Sequence, residues 1–169
     1  VPEEQWLHHA KRLCPRQQPN TLRWILFHLI EDPMQPSTWA VERLHNNPNL
    51  YSMVHIENAL SHHSILIRSW AVMNYEEWSE QTVLKRILPM RYDEDPMIVN
   101  RVLSRIRGLS LSEQQKCDHI SPLLDDRDVR GIAINHIGHL SLTATKKFEL
   151  LGPFLSSENP EHVVSTIRA

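Results

Sequence analysis

The sequence is poor in the residues and patterns that mark several common protein classes. Only 2 of its 169 residues are cysteine, 4 are glycine, and its apolar runs are only a few residues long. The two isolated cysteines, Cys14 and Cys117, do not make a disulfide scaffold and favour free thiols in the cytoplasm. A bilayer span needs about 20 consecutive apolar residues, so integral membrane proteins are excluded.

The chain also lacks a strong excess of either charge. Its formal net charge is −2, so no broad basic surface is available to attract nucleic acid. It begins at Val1 with no signal segment and stops at Ala169 inside a helix-like stretch. We therefore expect residues 1–169 to be a single domain cut from a longer chain, with no insertion into membranes.

Most of the sequence has the periodicity of helices. Apolar residues recur at i, i+3, i+4 and i+7, and the 11 prolines lie mainly between these stretches. Ser112 with Gln115 resembles a capping box, and Asp95 followed by Pro96 is typical of a helix start. The pattern predicts helices near residues 3–14, 21–31, 36–46, 49–61, 64–78, 80–90, 96–110, 112–121, 127–141, 144–156 and 160–169.

A repeat of 31 residues is the strongest feature of the sequence. The triplet Trp-Ala-Val begins at Trp39 and begins again at Trp70, 31 positions later. The same register, without gaps, also aligns 96–111 with 127–142. A small residue recurs in it at Ala71 and Ala133, where it lets a neighbouring helix approach closely. Two helices per repeat predict an all-α fold, a right-handed superhelix (solenoid) of about five helical hairpins.

The stretch from Leu123 to Leu140, LLDDRDVRGIAINHIGHL, resembles a HEAT-type repeat. It has the order that is typical of the family: leucines, an acidic turn, Val-Arg, Ala, and a closing apolar residue with Gly. The resemblance implies a HEAT-like solenoid that serves as a scaffold for protein–protein interaction. It also implies that Arg68 and Arg130 are the ladder arginines of the family, which pair with acidic turn residues such as Asp125 or Asp126.

Some relatives of HEAT-type proteins are enzymes, and each class has characteristic residues that this sequence can be checked for. The di-iron deoxyhypusine hydroxylases use repeated His-Glu dipeptides, and this chain has none. His136 and His139 have a chelating i, i+3 spacing but no further ligands at a recognisable spacing. The chain has no nucleophile elbow, P-loop or dinucleotide fingerprint. We therefore expect no catalytic residue, metal or cofactor, and the sequence favours a non-enzymatic protein.

Two ligand-handling alternatives stay open on the same scaffold. A DNA-repair-glycosylase-like protein would use the basic excess within residues 85–107, where Arg101 and Arg105 share a helix face. A phycobilin-lyase-like protein would hold a tetrapyrrole against Trp39 and Trp70. The low net charge argues against nucleic acid, and no lyase motif supports a tetrapyrrole.

The common register also predicts a binding face. It places equivalent side chains of successive hairpins beside one another, in one column of Trp and Arg and a second column of polar residues. Trp and Arg are enriched in binding hot spots. We therefore expect another protein to bind along the concave face at Trp39, Arg43, Trp70, Asn74, Arg101, Arg105 and His136. The alternative is that the two tryptophans fill gaps between hairpins.

Overall fold

The computed structural model describes residues 19–31, 38–74 and 78–168, and it places no strand among them. The α-helices of these residues are, in chain order, α1 (Pro19–Glu31), α2 (Thr38–His45), α3 (Met53–Ala59), α4 (Ile65–Met73), α5 (Glu80–Arg86), α6 (Pro96–Gly108), α7 (Glu113–Ile120), α8 (Arg130–Gly138), α9 (Ala144–Leu151) and α10 (Pro160–Arg168). The prediction of an all-α chain is therefore confirmed for the described residues. The predicted helix at 3–14 lies outside them.

Several helices are shorter than predicted because a 3-10 turn follows them. These turns are Pro48–Leu50, Leu88–Tyr92, Ser121–Asp125 and Gly152–Ser156, and each has a proline at its first or second position. Proline has no N–H to continue an α-helical hydrogen-bond ladder. The chain therefore tightens into a short turn at these positions before the next helix begins.

The chain divides into two compact units, residues 1–76 and 77–169. In the first unit, α4 packs against α1, α2 and α3. The side chains of Leu26, Leu44, Ile67 and Ala71 are buried in this core. The single domain expected for residues 1–169 stays a prediction.

In the second unit, α8 packs against four helices, α6, α7, α9 and α10. The positions that the repeat predicts to be core are buried here, with Val102 and Ile106 on α6 and Ala133 and Ile137 on α8. Successive helices α6, α8 and α10 thus pack side by side at intervals close to the 31-residue repeat. Within residues 19–31, 38–74 and 78–168, no helix is long and apolar enough to cross a membrane.

The predicted ladder arginines bind main-chain oxygens. Arg130 donates from Nε to the carbonyl oxygen of Leu124 at 2.6 Å and from Nη2 to that of Asp125 at 3.4 Å. The equivalent Arg68 repeats this pattern with the oxygens six and five residues before it, both at 2.9 Å. The end of a helical turn leaves carbonyl oxygens without helical donors, so the guanidinium satisfies them. For Arg130, these contacts replace the expected pairing with an acidic turn side chain.

The capping box that begins α7 is confirmed. The Ser112 hydroxyl accepts the N–H of Gln115 at 3.2 Å, and the Gln115 side chain accepts the N–H of Ser112 at 3.0 Å. Asp95 also caps α6, because its carboxylate accepts the N–H of Met97 at 2.8 Å. Local sequence signals therefore set both helix starts.

Replacing Ser112 with alanine is expected to lower the free energy of unfolding of the second unit by about 1 kcal/mol, the usual cost of losing an N-cap. Urea denaturation followed by circular dichroism measures this change. Ser141→Ala, at an exposed position where only the backbone N–H is hydrogen-bonded, is the matched control and should change the value by less than about 0.5 kcal/mol. Equal effects of the two substitutions would contradict a capping role for Ser112.

Candidate functional site

Trp70 lies inside the first unit, with 2% of its surface exposed. Its ring meets Phe27 and Tyr51 edge to face, at centroid distances of 5.7 and 4.9 Å. Its indole Nε1 is buried and has no hydrogen-bond partner among the described residues. These contacts favour the packing role that the sequence left open for Trp70. The side chain of Trp39 lies outside the described residues.

Asn74 organises a small polar cluster at the end of α4. Its side-chain N–H₂ donates to the carbonyl oxygen of Trp70 at 2.7 Å, while its Oδ1 accepts the Tyr51 hydroxyl at 3.2 Å. His45 Nδ1 lies 2.9 Å from the same oxygen. The Arg43 side chain is half-buried, and its main-chain oxygen accepts a 2.7 Å hydrogen bond from Asn47. The Asn74 side chain therefore caps the end of α4, and His45 of α2 is one of its hydrogen-bond partners.

His136 is buried on α8 with 2% of its surface exposed. Its Nε2 lies 2.8 Å from Oδ1 of Asn100, and its Nδ1 lies 3.5 Å from Nη1 of Arg107. Burial, and after it the charges of Arg107 and His139, lower the pKa of His136 to about 4. The imidazole is therefore neutral at pH 7, donates to Asn100, and links α8 to α6.

Arg101 and Arg105 lie four residues apart on α6 and are both half-buried. The Nε of Arg101 is buried and has no hydrogen-bond partner in the described ranges. Two guanidinium groups at this spacing lie on one side of a helix. We call the surface formed by Arg101 and Arg105 the α6 arginine face.

A polar cavity of about 560 Å³ lies next to these elements in the second unit, and Arg107, Glu113 and His139 line it. The Glu113 carboxylate accepts the N–H of Ser141 at 2.7 Å and lies 2.9 Å from Lys116 Nζ. The side-chain hydrogen bond from Lys116 lowers the pKa of Glu113 most, followed by the hydrogen bond from Ser141. At pH 7 this carboxylate is charged, and its oxygens are already bonded to Ser141 and Lys116.

The Glu113 contact has a counterpart one hairpin earlier. Glu80, at the start of α5, accepts the N–H of Ser110, and this hydrogen bond lowers the pKa of Glu80. Each glutamate is the first residue of its helix and reaches the turn that precedes the next hairpin. The contact therefore joins successive hairpins of the second unit, which makes it a structural junction.

The cavity does not assemble an activated nucleophile. Ser104, which lines it, donates its hydroxyl to the carbonyl oxygen of Asn100 at 2.9 Å. Burial raises the pKa of the Cys117 thiol, so this cysteine is not a thiolate at pH 7. In the described part of the chain, no three His, Cys, Asp or Glu side chains converge as metal ligands. The described lining of this cavity presents the charged and hydrogen-bonding side chains of Arg107, Glu113 and His139.

The sequence did not predict the hydrogen-bond partners of His136 and Glu113, although it contains weak patterns that are compatible with them. Asn100, Ser104 and Arg107 are spaced at i, i+4 and i+7, which places a polar stripe along α6. A Ser-Glu pair begins both α5 and α7. Such patterns are equally common on exposed helices that make no such contacts. Only the packing of the helices therefore shows that these residues are hydrogen-bond partners.

No known protein-family model, characterised protein or solved structure matches the chain.

Proposed function

We propose that the chain is a non-enzymatic HEAT-like α-solenoid that binds an acidic segment of another protein at the α6 arginine face. The solenoid is supported by the 31-residue register that α6 and α8 share and by the successive packing of α6, α8 and α10. The recurring junctions of Glu80 and Glu113 support it as well. About five such hairpins, forming one right-handed superhelix, would complete the proposed fold.

Arg101 carries the proposed binding site, because its side chain is half-buried and its guanidinium Nε has no hydrogen-bond partner in the described ranges. A buried donor without an acceptor costs about 1–3 kcal/mol, and more when the group is charged. A carboxylate can accept two parallel hydrogen bonds from a guanidinium and also neutralises its charge. The Nε itself is buried, so an acidic protein segment along α6 would pair with the accessible part of the half-buried Arg101 side chain.

The same observations favour a protein partner over the two alternatives. The chain has a net charge of −2 and a pI of about 6.6, so its basic excess is local. The tetrapyrrole alternative needed Trp70 as an exposed wall, and that ring is buried. Of the other residues expected on the binding face, Asn74 and His136 bind neighbouring helices. The proposed face is therefore narrower than expected and centres on Arg101 and Arg105.

Charge reversal of both arginines, Arg101→Glu with Arg105→Glu, is expected to weaken binding of a labelled acidic amphipathic peptide at least about tenfold. Fluorescence anisotropy with the peptide, and in parallel with labelled duplex DNA, gives both affinities. Because peptide carboxylates pair with guanidinium groups, affinity should fall as the salt concentration rises.

The matched control reverses two exposed charges elsewhere in the second unit, Lys85→Glu with Arg168→Glu. It makes the same change of net charge and should keep most of the peptide affinity. Equal losses in the two double variants would show a general charge effect and contradict the proposed site. Tighter binding of DNA than of the peptide, lost on reversal of Arg101 and Arg105, would instead support the glycosylase-like alternative.

A further inference from the structure

The hairpin of α9 and α10 has an unusually apolar surface. Phe148 and Ile167 are 69% and 71% exposed, and Leu155 and Val164 are each 43% exposed. Phe148, Leu155 and Ile167 line a groove of about 420 Å³, together with the buried Leu151. We call this surface the α9–α10 groove. Contiguous exposed apolar surface on a folded unit usually marks a binding site.

In the preceding hairpin, formed by α7 and α8, the positions equivalent to these four exposed residues are buried. The residues 31 positions before the four exposed ones are all buried, with exposed fractions of 2%, 7%, 0% and 2% for Cys117, Leu124, Ala133 and His136. In that hairpin, α8 packs against both α9 and α10. His136 is covered by Asn100 and Arg107 of α6, in the hairpin before it. The other three positions are therefore the ones that a following hairpin in register can cover. In the α9–α10 hairpin the equivalent positions are apolar and exposed.

The packing of one hairpin on the next indicates which kind of segment would bind in the α9–α10 groove. A helix that packed on α10 as α10 packs on α8 would need an apolar stripe at i, i+3, i+4 and i+7. The second helix of the hairpin would lie over Phe148 and Leu155. The hydroxyl of Thr166, which also lines the groove, is buried and has no hydrogen-bond partner in the described ranges.

We propose that the α9–α10 groove is a docking surface for a further amphipathic helical hairpin in the same 31-residue register. This inference rests on the solenoid of the proposed function, but not on its binding site, because the groove lies on different elements from the α6 arginine face. Repeat units bury a continuous core only when neighbours cover both of their faces. The docked hairpin supplies the missing neighbour of α9 and α10.

The test extends the full chain by a copy of its own residues 139–168 placed after Ala169. This copy continues the 31-residue register, because residue 170 is then equivalent to His139. Docking is expected to slow hydrogen exchange of the α10 amides at least about tenfold.

Phe148→Glu with Ile167→Glu in the extended chain should reverse this slowing of exchange, because carboxylates would then lie inside the interface. The matched control, Trp24→Glu with Val54→Glu, changes two side chains of similar exposure, 68% and 62%, in the first unit. It should leave the exchange of α10 unchanged. Circular dichroism verifies that every variant keeps its helices.

Two results would overturn the proposal. Unchanged exchange of α10 in the extended chain, with the added residues unprotected, would show that the groove does not accept a hairpin. A concentration-dependent dimer of the unextended chain in sedimentation, dissociated by the two glutamates, would show that a second copy is the occupant.

Discussion

Replacing Trp70 with alanine is expected to lower the free energy of unfolding of the first unit by about 3–5 kcal/mol. The indole is almost fully buried, so its removal leaves a large cavity. It also removes two edge-to-face contacts, with Phe27 and Tyr51. A loss of this size is comparable with the whole stability of a small domain, so we expect partial unfolding at room temperature.

Trp24 provides a matched control in the same unit. It is 68% exposed and stacks on His28 with a centroid distance of 5.6 Å. Trp24→Ala should therefore cost less than about 1 kcal/mol. Denaturation followed by circular dichroism compares the two variants without relying on tryptophan fluorescence. A stable Trp70→Ala variant with a lost binding activity would contradict the packing role and return Trp70 to the binding face.

Lowering the pH from 7 to 4 is expected to remove about 3 kcal/mol of stability from the second unit through His136 alone. Its pKa falls from the ordinary 6.5 to about 4 in the folded chain, chiefly because of burial and then because of Arg107 and His139. The unfolded chain therefore binds a proton at a higher pH than the folded chain does. The contribution is complete above pH 6.5, is lost progressively as the pH falls, and levels off below pH 4.

The measurement is the free energy of unfolding at several pH values for the original chain and for His136→Gln. Glutamine can still donate to Asn100 but does not titrate, so the difference between the two chains isolates the histidine. If the variant does not fold, nuclear magnetic resonance titration of the His136 ring gives its pKa directly. A pKa near 6.5, or parallel stability curves, would contradict a buried neutral imidazole.

Much of the fold could be predicted from the sequence because the signals are local. The capping box of Ser112 with Gln115 involves residues three positions apart, and the structure confirms it. The apolar positions Ala133 and Ile137 follow from helical periodicity, and both are buried. The ends of several helices could not be placed, because proline turns such as Gly152–Ser156 continue the apolar pattern without continuing the α-helix.

The candidate site was harder to predict because it depends on long-range contacts. Trp70 lies at the flank of its helical wheel, where periodicity does not decide between packing and exposure. Phe27 and Tyr51, distant in sequence, enclose its ring. The sequence predicted His136 to lie in the polar column of the binding face, because histidine is a polar residue. Its hydrogen bond to Asn100 instead allows the polar ring to be buried.

Photo-cross-linking from α6 tests the central claim most directly. A photoreactive amino acid at the exposed Ser104, between Arg101 and Arg105, would report which molecules lie on this face. In cell extract, we expect cross-links to acidic segments of one or a few proteins, identified by mass spectrometry and lost when both arginines become glutamate. Cross-links chiefly to nucleic acid, or protein cross-links that persist after charge reversal, would contradict a protein-binding α6 arginine face.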